Sequence, residues 1–172
     1  MSEMIIPEIL IETKLCVFDS CGLVLQNPLL GKESAEYDAC RFQLNGLKIV
    51  FRSAKTTPTK IGQFVTLWKR KQAGPIQPYE VSDDFDLVVI NAKTDTHFGQ
   101  FVFPKAVLAQ RGIITSEGKE GKRGFRVYPP WDTTINKQAQ TSQKWQLDYF
   151  LIIPFDGSVD LSRTRFLYGI TQ

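Results

Sequence analysis

Asn45-Gly46 separates ACRFQL from LKIVFRSA, and this dipeptide limits the fold more than any other feature of the chain. A two-residue hairpin of type I′ needs positive φ at both central positions, which Asn and Gly tolerate best. Both flanking runs are β-rich and alternate in polarity. Cys40, Phe42 and Leu44 share one side of the first run, with Arg41 and Gln43 opposite. In the second run Leu47, Ile49, Phe51 and Ser53 oppose Lys48, Val50, Arg52 and Ala54. An antiparallel pair is therefore expected around this turn.

Further strand signals follow. GQFVTLWKR (62–70) is apolar on both faces, as a central strand would be. FDLVVINA (85–92) reads as a buried strand, and Asp95-Thr96-His97 joins it to a return over FGQFVF (98–103). Ile113-Ile114, FRVY (125–128), YFLIIPF (149–155) and the tail SRTRFLYGI read as shorter strands. Pro7 suits the first turn of a helix over about 7–19, which Cys21-Gly22 can end. Pro104 opens a short helix closed by Gly112, and Asp132 or Thr133 can cap another over about 134–147. Loops are expected at 22–35, 71–84 and 115–124, none long enough for a domain linker. The expected fold is α+β: one domain over 1–172, with a mixed, mainly antiparallel sheet (core about 37–128) flanked by helices.

Composition narrows the class. The chain has 172 residues, of which 42% are hydrophobic and 23% charged, so wholesale disorder is excluded. It has no run of 18 apolar residues, which argues against a membrane partner. The segment MSEMIIPEILIE carries three acids and no basic stretch, unlike a secretory signal. Three cysteines, an odd number, read as reduced thiols of a cytoplasmic protein.

The net charge of +3 conceals a block pattern. Residues 39–79 hold eight bases and no acid, and residues 96–131 hold six bases and two acids. Between and before them, residues 80–95 and 1–38 are acidic, at −4 and −5. Basic blocks that meet on one face would attract a polyanion. In the competing reading, acidic and basic blocks pair across the fold and cancel.

The basic blocks carry the candidate binding residues. Arg52, Lys55, Lys60 and Gln63 surround the turn Thr56-Thr57-Pro58-Thr59, a donor-rich cradle for phosphate or carboxylate. Trp68 stands beside Lys69 and Arg70, which suits base stacking next to backbone contact. GKEGKRGFRVYPPW (118–131) offers Lys122, Arg123, Arg126 and Trp131 on a glycine-rich loop. QAQTSQKWQ (138–146) is rich in amides, and helical spacing puts Gln138, Ser142 and Trp145 near one face.

Enzyme signatures are weak. His97 is the single histidine, so a His-rich metal cluster is excluded and no resident metal or cofactor is expected. Carboxylate chemistry on Mg²⁺ or Mn²⁺ could draw on Glu36, Asp38, Asp84, Asp86 and Lys93, or on Lys55. That scattered layout resembles restriction-endonuclease-like folds, but their carboxylate-x-lysine element is missing. The matching strand ends read Ser53-Ala54-Lys55, Asn91-Ala92-Lys93 and Phe103-Pro104-Lys105.

FRSAKTTPTKIGQFVTLWKR, GQFVFPKAVLAQRGI, GKRGFRVYPPWD and QAQTSQKWQLDYF resemble the MepB family of small bacterial proteins over about residues 37–151. The resemblance implies a fold like that of type II restriction endonucleases and a nucleic-acid-binding role. It brings no catalytic residues. The shared positions are basic, amide or aromatic: Arg52, Lys55, Lys60, Gln63, Trp68, Lys105, Arg123, Arg126, Trp131 and Trp145.

The leading expectation is a cytoplasmic protein that binds DNA or RNA in one groove shared by both basic blocks. Its alternatives are a divalent-metal nuclease with an atypical site and a module that binds a small anion or a protein.

Overall fold

The computed structural model describes residues 5–170. The first four residues of the N-terminal segment lie outside that range. Helix α1 (Glu8–Thr13) follows Pro7, continues through a π-helical turn (Lys14–Phe18) and a 3₁₀ turn (Asp19–Cys21), and stops at Gly22. Gly22 has φ +70°, the left-handed conformation that closes many helices.

Strand β1 (Leu25–Leu30) occupies what the sequence presents as a loop. Pro28 and Asn27, the latter at φ +54°, hide it. Both are tolerated because β1 is an edge strand whose register against β2 shifts between Gln26 and Leu29.

The Asn-Gly hairpin forms as expected. β2 (Cys40–Leu44) pairs with β3 (Leu47–Ser53), and Asn45 and Gly46 have φ +48° and +87°. The Asn45 amide also secures the start of β1, accepting from the Val24 N–H at 2.9 Å and donating to the Gly22 carbonyl at 3.3 Å.

After β4 (Lys55–Thr56), the run expected as one strand over 62–70 divides into β5 (Gln63–Thr66) and β6 (Trp68–Arg70). The break falls at wholly buried Leu67, whose N–H turns to the Arg123 carbonyl at 3.0 Å. β7 (Ile76–Pro78) pairs with β6 inside the expected 71–84 loop. β8 (Leu87–Lys93), β9 (Phe98–Pro104) and α2 (Lys105–Gln110) lie where the pattern puts them.

Ile113-Ile114 forms no strand. Both side chains plug the core, and the Ile113 N–H caps α2 through the Leu108 carbonyl. β10 (Gly124–Val127), α3 (Lys137–Leu147), β11 (Phe150–Ile152) and α4 (Leu161–Leu167) complete the chain. The cap of α3 is Asn136, further along than Asp132 or Thr133, and its Oδ1 accepts from the Ala139 N–H at 2.8 Å. The tail expected as a strand is helix α4. Asp160 nucleates it by accepting from the Arg163 and Thr164 N–H groups, an N-cap signal stronger than the β-rich composition behind it.

The main sheet has the order β1-β2-β3-β8-β9-β11, antiparallel except for β3–β8. A parallel pair requires a crossover. Residues 54–86 supply it and carry β4–β7. A three-stranded sheet, β10-β5-β4, and the β6–β7 pair pack beside the main one. This is the α+β, mostly antiparallel domain the pattern predicts.

Each face of the main sheet has its own core. On one side Leu10, Val17 and Phe18 meet Phe42, Ile49, Phe51, Val89 and Tyr168. On the other, Val50, Val88, Ile90, Phe101 and Phe103 meet Val65, Leu67, Leu108 and Phe125. A buried polar chain crosses the first core. The Asn91 Nδ2 donates to the Thr13 Oγ1 (2.6 Å), the Gln100 Nε2 to the Asn91 Oδ1 (2.9 Å), and the Tyr168 hydroxyl to the Gln100 Oε1 (2.5 Å). Among the described residues, no helix is long and apolar enough to cross a membrane.

Candidate functional site

The basic residues are best followed outward from the three-stranded sheet. Arg126 on β10 pairs with Phe64 on β5, which pairs with Lys55 on β4. Directly paired residues point to the same side of a sheet, so the two cations flank Phe64. The opposite side holds Gln63, Val65 and Val127, all buried. The Lys55 ammonium lies 5.1 Å from the centre of the Tyr37 ring, and that ring packs edge-on against Phe64.

Arg126 organises the turn below it. Its guanidinium donates to the carbonyls of Ile61 (3.2 Å) and Gly62 (3.4 Å) and to the Thr57 Oγ1 (2.5 Å). Gly62 is required there. It has φ +84°, and a Cβ would stand 2.7 Å from the Tyr128 ring.

Helix α3 is fastened to β10 by one buried side chain. Gln146 accepts from the Tyr128 N–H at 2.8 Å and donates to the Arg126 carbonyl at 3.0 Å. This docking sets Gln138, Ser142 and Trp145 over the sheet. Together with Lys60, Arg111, Lys122 and Arg126 they line a groove of about 640 Å³. None of the described residues lining it is acidic. The Arg111 guanidinium lies 5.2 Å from the Trp145 ring centre.

A second pocket, of about 460 Å³, takes Arg52, Trp68, Lys69 and Arg70, with Lys32, Glu33, Arg41 and Tyr79. Here two of the five cations, Lys69 and Arg70, are already paired. Lys69 bonds Glu80 (2.7 Å) and Asp83 (2.6 Å), and the Arg70 Nε bonds Glu33 (3.0 Å). Burial pulls the Lys69 pKa down, but the hydrogen bonds and charges of Asp83 and Glu80 outweigh it and leave the pKa raised. Arg52 differs. It is 5% exposed, and its Nη1 donates to the Phe51 carbonyl at 2.8 Å. Its Nε is buried without a hydrogen-bond partner, and among the described residues it makes no ion pair. Burial lowers its pKa, and the nearby Tyr79 hydroxyl counters this.

One groove shared by the two basic blocks forms only in part, with Lys60 of the first block joining the second. Lys60, Lys122, Arg126, Gln138 and Trp145 come together, whereas Arg52, Trp68, Lys69 and Arg70 gather elsewhere. The structure sends the other candidates to separate places. Gln63 is buried and donates weakly to Thr56 and to the Lys93 carbonyl. Lys105 lies over the Phe85 ring and donates to the backbone of Val81 and Asp83. Arg123 pairs with Glu120 at 2.9 Å. Trp131 stacks on His97 at 4.9 Å and lines an apolar pocket with Ile152 and Phe155.

The carboxylate alternative fails to assemble. Asp84 and Asp86 precede β8 and both serve Lys48, through its ammonium and its backbone N–H respectively. Lys93 ends β8, about 23 Å of strand away from Asp86, and is held by Glu12 at 2.9 Å. Glu36 and Asp38 flank the start of β2, which pairs with the end of β3 rather than its beginning.

Arg111 and Arg41 escaped the sequence reading as site residues. Arg111 reads as a helix-end cation beside Gly112, and Arg41 as the polar side of an alternating strand. Only the packing of α3 and of β6 reveals what they face.

A family model described as MepB-like matches residues 31–152. No curated protein matches the chain. A crystal structure of MepB superposes with a TM-score of 0.75, at 32% identity, over 88% of this chain and 99% of that one. With long sequence motifs, a matching model and a shared fold all in agreement, the chain belongs to the MepB-like family.

Proposed function

We propose that this protein binds nucleic acid in the groove between α3 and the three-stranded sheet. The observation that carries this reading is chemical. Lys60, Arg111, Lys122 and Arg126 share one concave surface with Gln138, Ser142 and Trp145, and among the described residues no acid lines it. Cations of this kind neutralise phosphates, while amides and an indole offer hydrogen-bonding and stacking to exposed bases. The loop carrying Lys122 supplies reach, and Arg126 also fixes the wall of the groove. A nuclease-like scaffold and a cytoplasmic setting belong to the same proposal. The first rests on the family resemblance, the second on three free thiols.

Four phosphate contacts predict a log–log dependence of affinity on salt with a slope of roughly −3. Fluorescence anisotropy with labelled single-stranded and duplex oligonucleotides at several salt concentrations measures it. Lys122→Ala is expected to flatten the slope by about one unit. Affinity that does not respond to salt would refute the reading.

A further inference from the structure

We propose that the pocket around Arg52 is a separate binding site for a small phosphate-type oxyanion, either inorganic phosphate or a terminal phosphomonoester. The sequence placed Arg52 and Arg126 in a single nucleic-acid groove. The fold gives Arg52 its own enclosure, and the chemistry of that enclosure is different.

A guanidinium that is 5% exposed has lost nearly all its hydration. Such a group is ordinarily compensated by a carboxylate or by hydrogen bonds to all its donors. Arg52 has neither. Its Nη1 serves the adjacent Phe51 carbonyl, and its Nε has no partner. Among the described residues no carboxylate reaches it, although Glu33 lines the same pocket. Glu33 is committed to Arg70, and Glu80 and Asp83 to Lys69. Arg41 adds a second guanidinium with no ion pair among the described residues, its Nη2 donating to the Asp84 backbone carbonyl at 3.0 Å. Lys32 and the Tyr79 hydroxyl complete the donors.

The internal acids thus satisfy the rim lysine and arginine and leave the deepest cation with no carboxylate, only the Phe51 carbonyl and the Tyr79 hydroxyl. An oxyanion with three or more acceptor oxygens answers Arg52, Arg41 and Tyr79 together, and a planar guanidinium fork suits that geometry. A pocket of about 460 Å³ admits a phosphate and part of what is attached to it.

Thermal denaturation of the full chain in orthophosphate, against chloride at matched ionic strength, tests the idea. Phosphate is expected to raise Tm with saturation, as a ligand of the native state does. Chloride is expected to do nothing beyond screening. Arg52→Met and Arg41→Ala are each expected to weaken phosphate at least about tenfold. Arg41 is exposed, so its variant decides the matter if Arg52→Met does not fold. Paired oligonucleotides with a 5′-phosphate or a 5′-hydroxyl separate the two sources. A gain for the phosphorylated strand that Arg41→Ala removes assigns a terminal phosphomonoester, and equal binding of the two strands assigns the free anion. The proposal is overturned by a wild-type response equal to that of chloride. It is also overturned by a response that survives Arg41→Ala and vanishes in Lys122→Ala, which would move the anion to the other groove.

Discussion

The two basic pockets are made of similar residues and differ in how many of their cations the chain's own acids pair. In the groove beneath α3, Lys60, Arg111 and Lys122 meet no carboxylate of their own pocket. Around β6, Lys69 and Arg70 are met at 2.6–3.0 Å by Asp83, Glu80 and Glu33. The acidic blocks 1–38 and 80–95 therefore reach into one basic region, where they pair Lys69 and Arg70, and not into the other. A charge run says how many cations a segment owns. Which of them remain available depends on the strand pairings that carry acids alongside.

Gln146→Leu should separate the two regions most sharply. It leaves the Tyr128 N–H and the Arg126 carbonyl without partners, a loss of about 2–4 kcal/mol in urea unfolding. With α3 no longer seated on β10, oligonucleotide binding is expected to fall while phosphate stabilisation through Arg52 persists. Coupled loss of both would show that the two regions are one site.

The double variant Lys60→Ala/Lys122→Ala removes two exposed cations with no structural duty. Oligonucleotide affinity is expected to drop roughly 10- to 100-fold, with a shallower salt dependence by anisotropy. Unchanged affinity would place the nucleic acid elsewhere.

Lys69→Met probes the paired part of the β6 region by pH. The Lys69 ammonium, through its hydrogen bond and then its charge, holds the Glu80 carboxyl below its ordinary value. A carboxyl with a lowered folded pKa adds stability above the unfolded value of about 4.3. That contribution is lost as pH falls through the folded value. In Lys69→Met, carboxyl-detected NMR should show Glu80 titrating higher, and the matching part of the acid dependence of Tm should disappear.

The smallest effect is expected from Glu33→Gln. It frees Arg70 from its 3.0 Å partner, and phosphate should bind a few-fold more tightly, since exposed pairs are worth about 0–1 kcal/mol. Weaker binding would mean that Glu33 orients Arg70 for the ligand.

Much of the framework was readable from local chemistry. The Asn45-Gly46 turn, the β8–β9 hairpin and the Pro104-to-Gly112 helix each carry their own punctuation. β1 was not readable, because Pro28 and a left-handed Asn27 are legible as strand residues only once the strand is known to be at an edge. The α4 tail was misread because one aspartate at its start outweighed a β-rich composition. For the candidate site, the amide-and-tryptophan face of α3 was visible in its spacing. The isolation of Arg52 was not, since it depends on which of the charges of Lys32, Glu33, Arg41, Lys69, Arg70, Glu80 and Asp83 find each other across β2, β6 and the loops beside them.

The relay Thr13–Asn91–Gln100–Tyr168 links the first helix to the segment just after the last one through the centre of the main sheet. The family-matched span of residues 31–152 contains the two middle members and neither end. Trimmed to that span, the chain would keep Asn91 and Gln100 facing an uncovered sheet, stripped of Leu10, Val17, Phe18 and Tyr168. The two terminal segments act as a clasp on the family-matched span, and an expression product shortened to that span is expected to precipitate rather than fold.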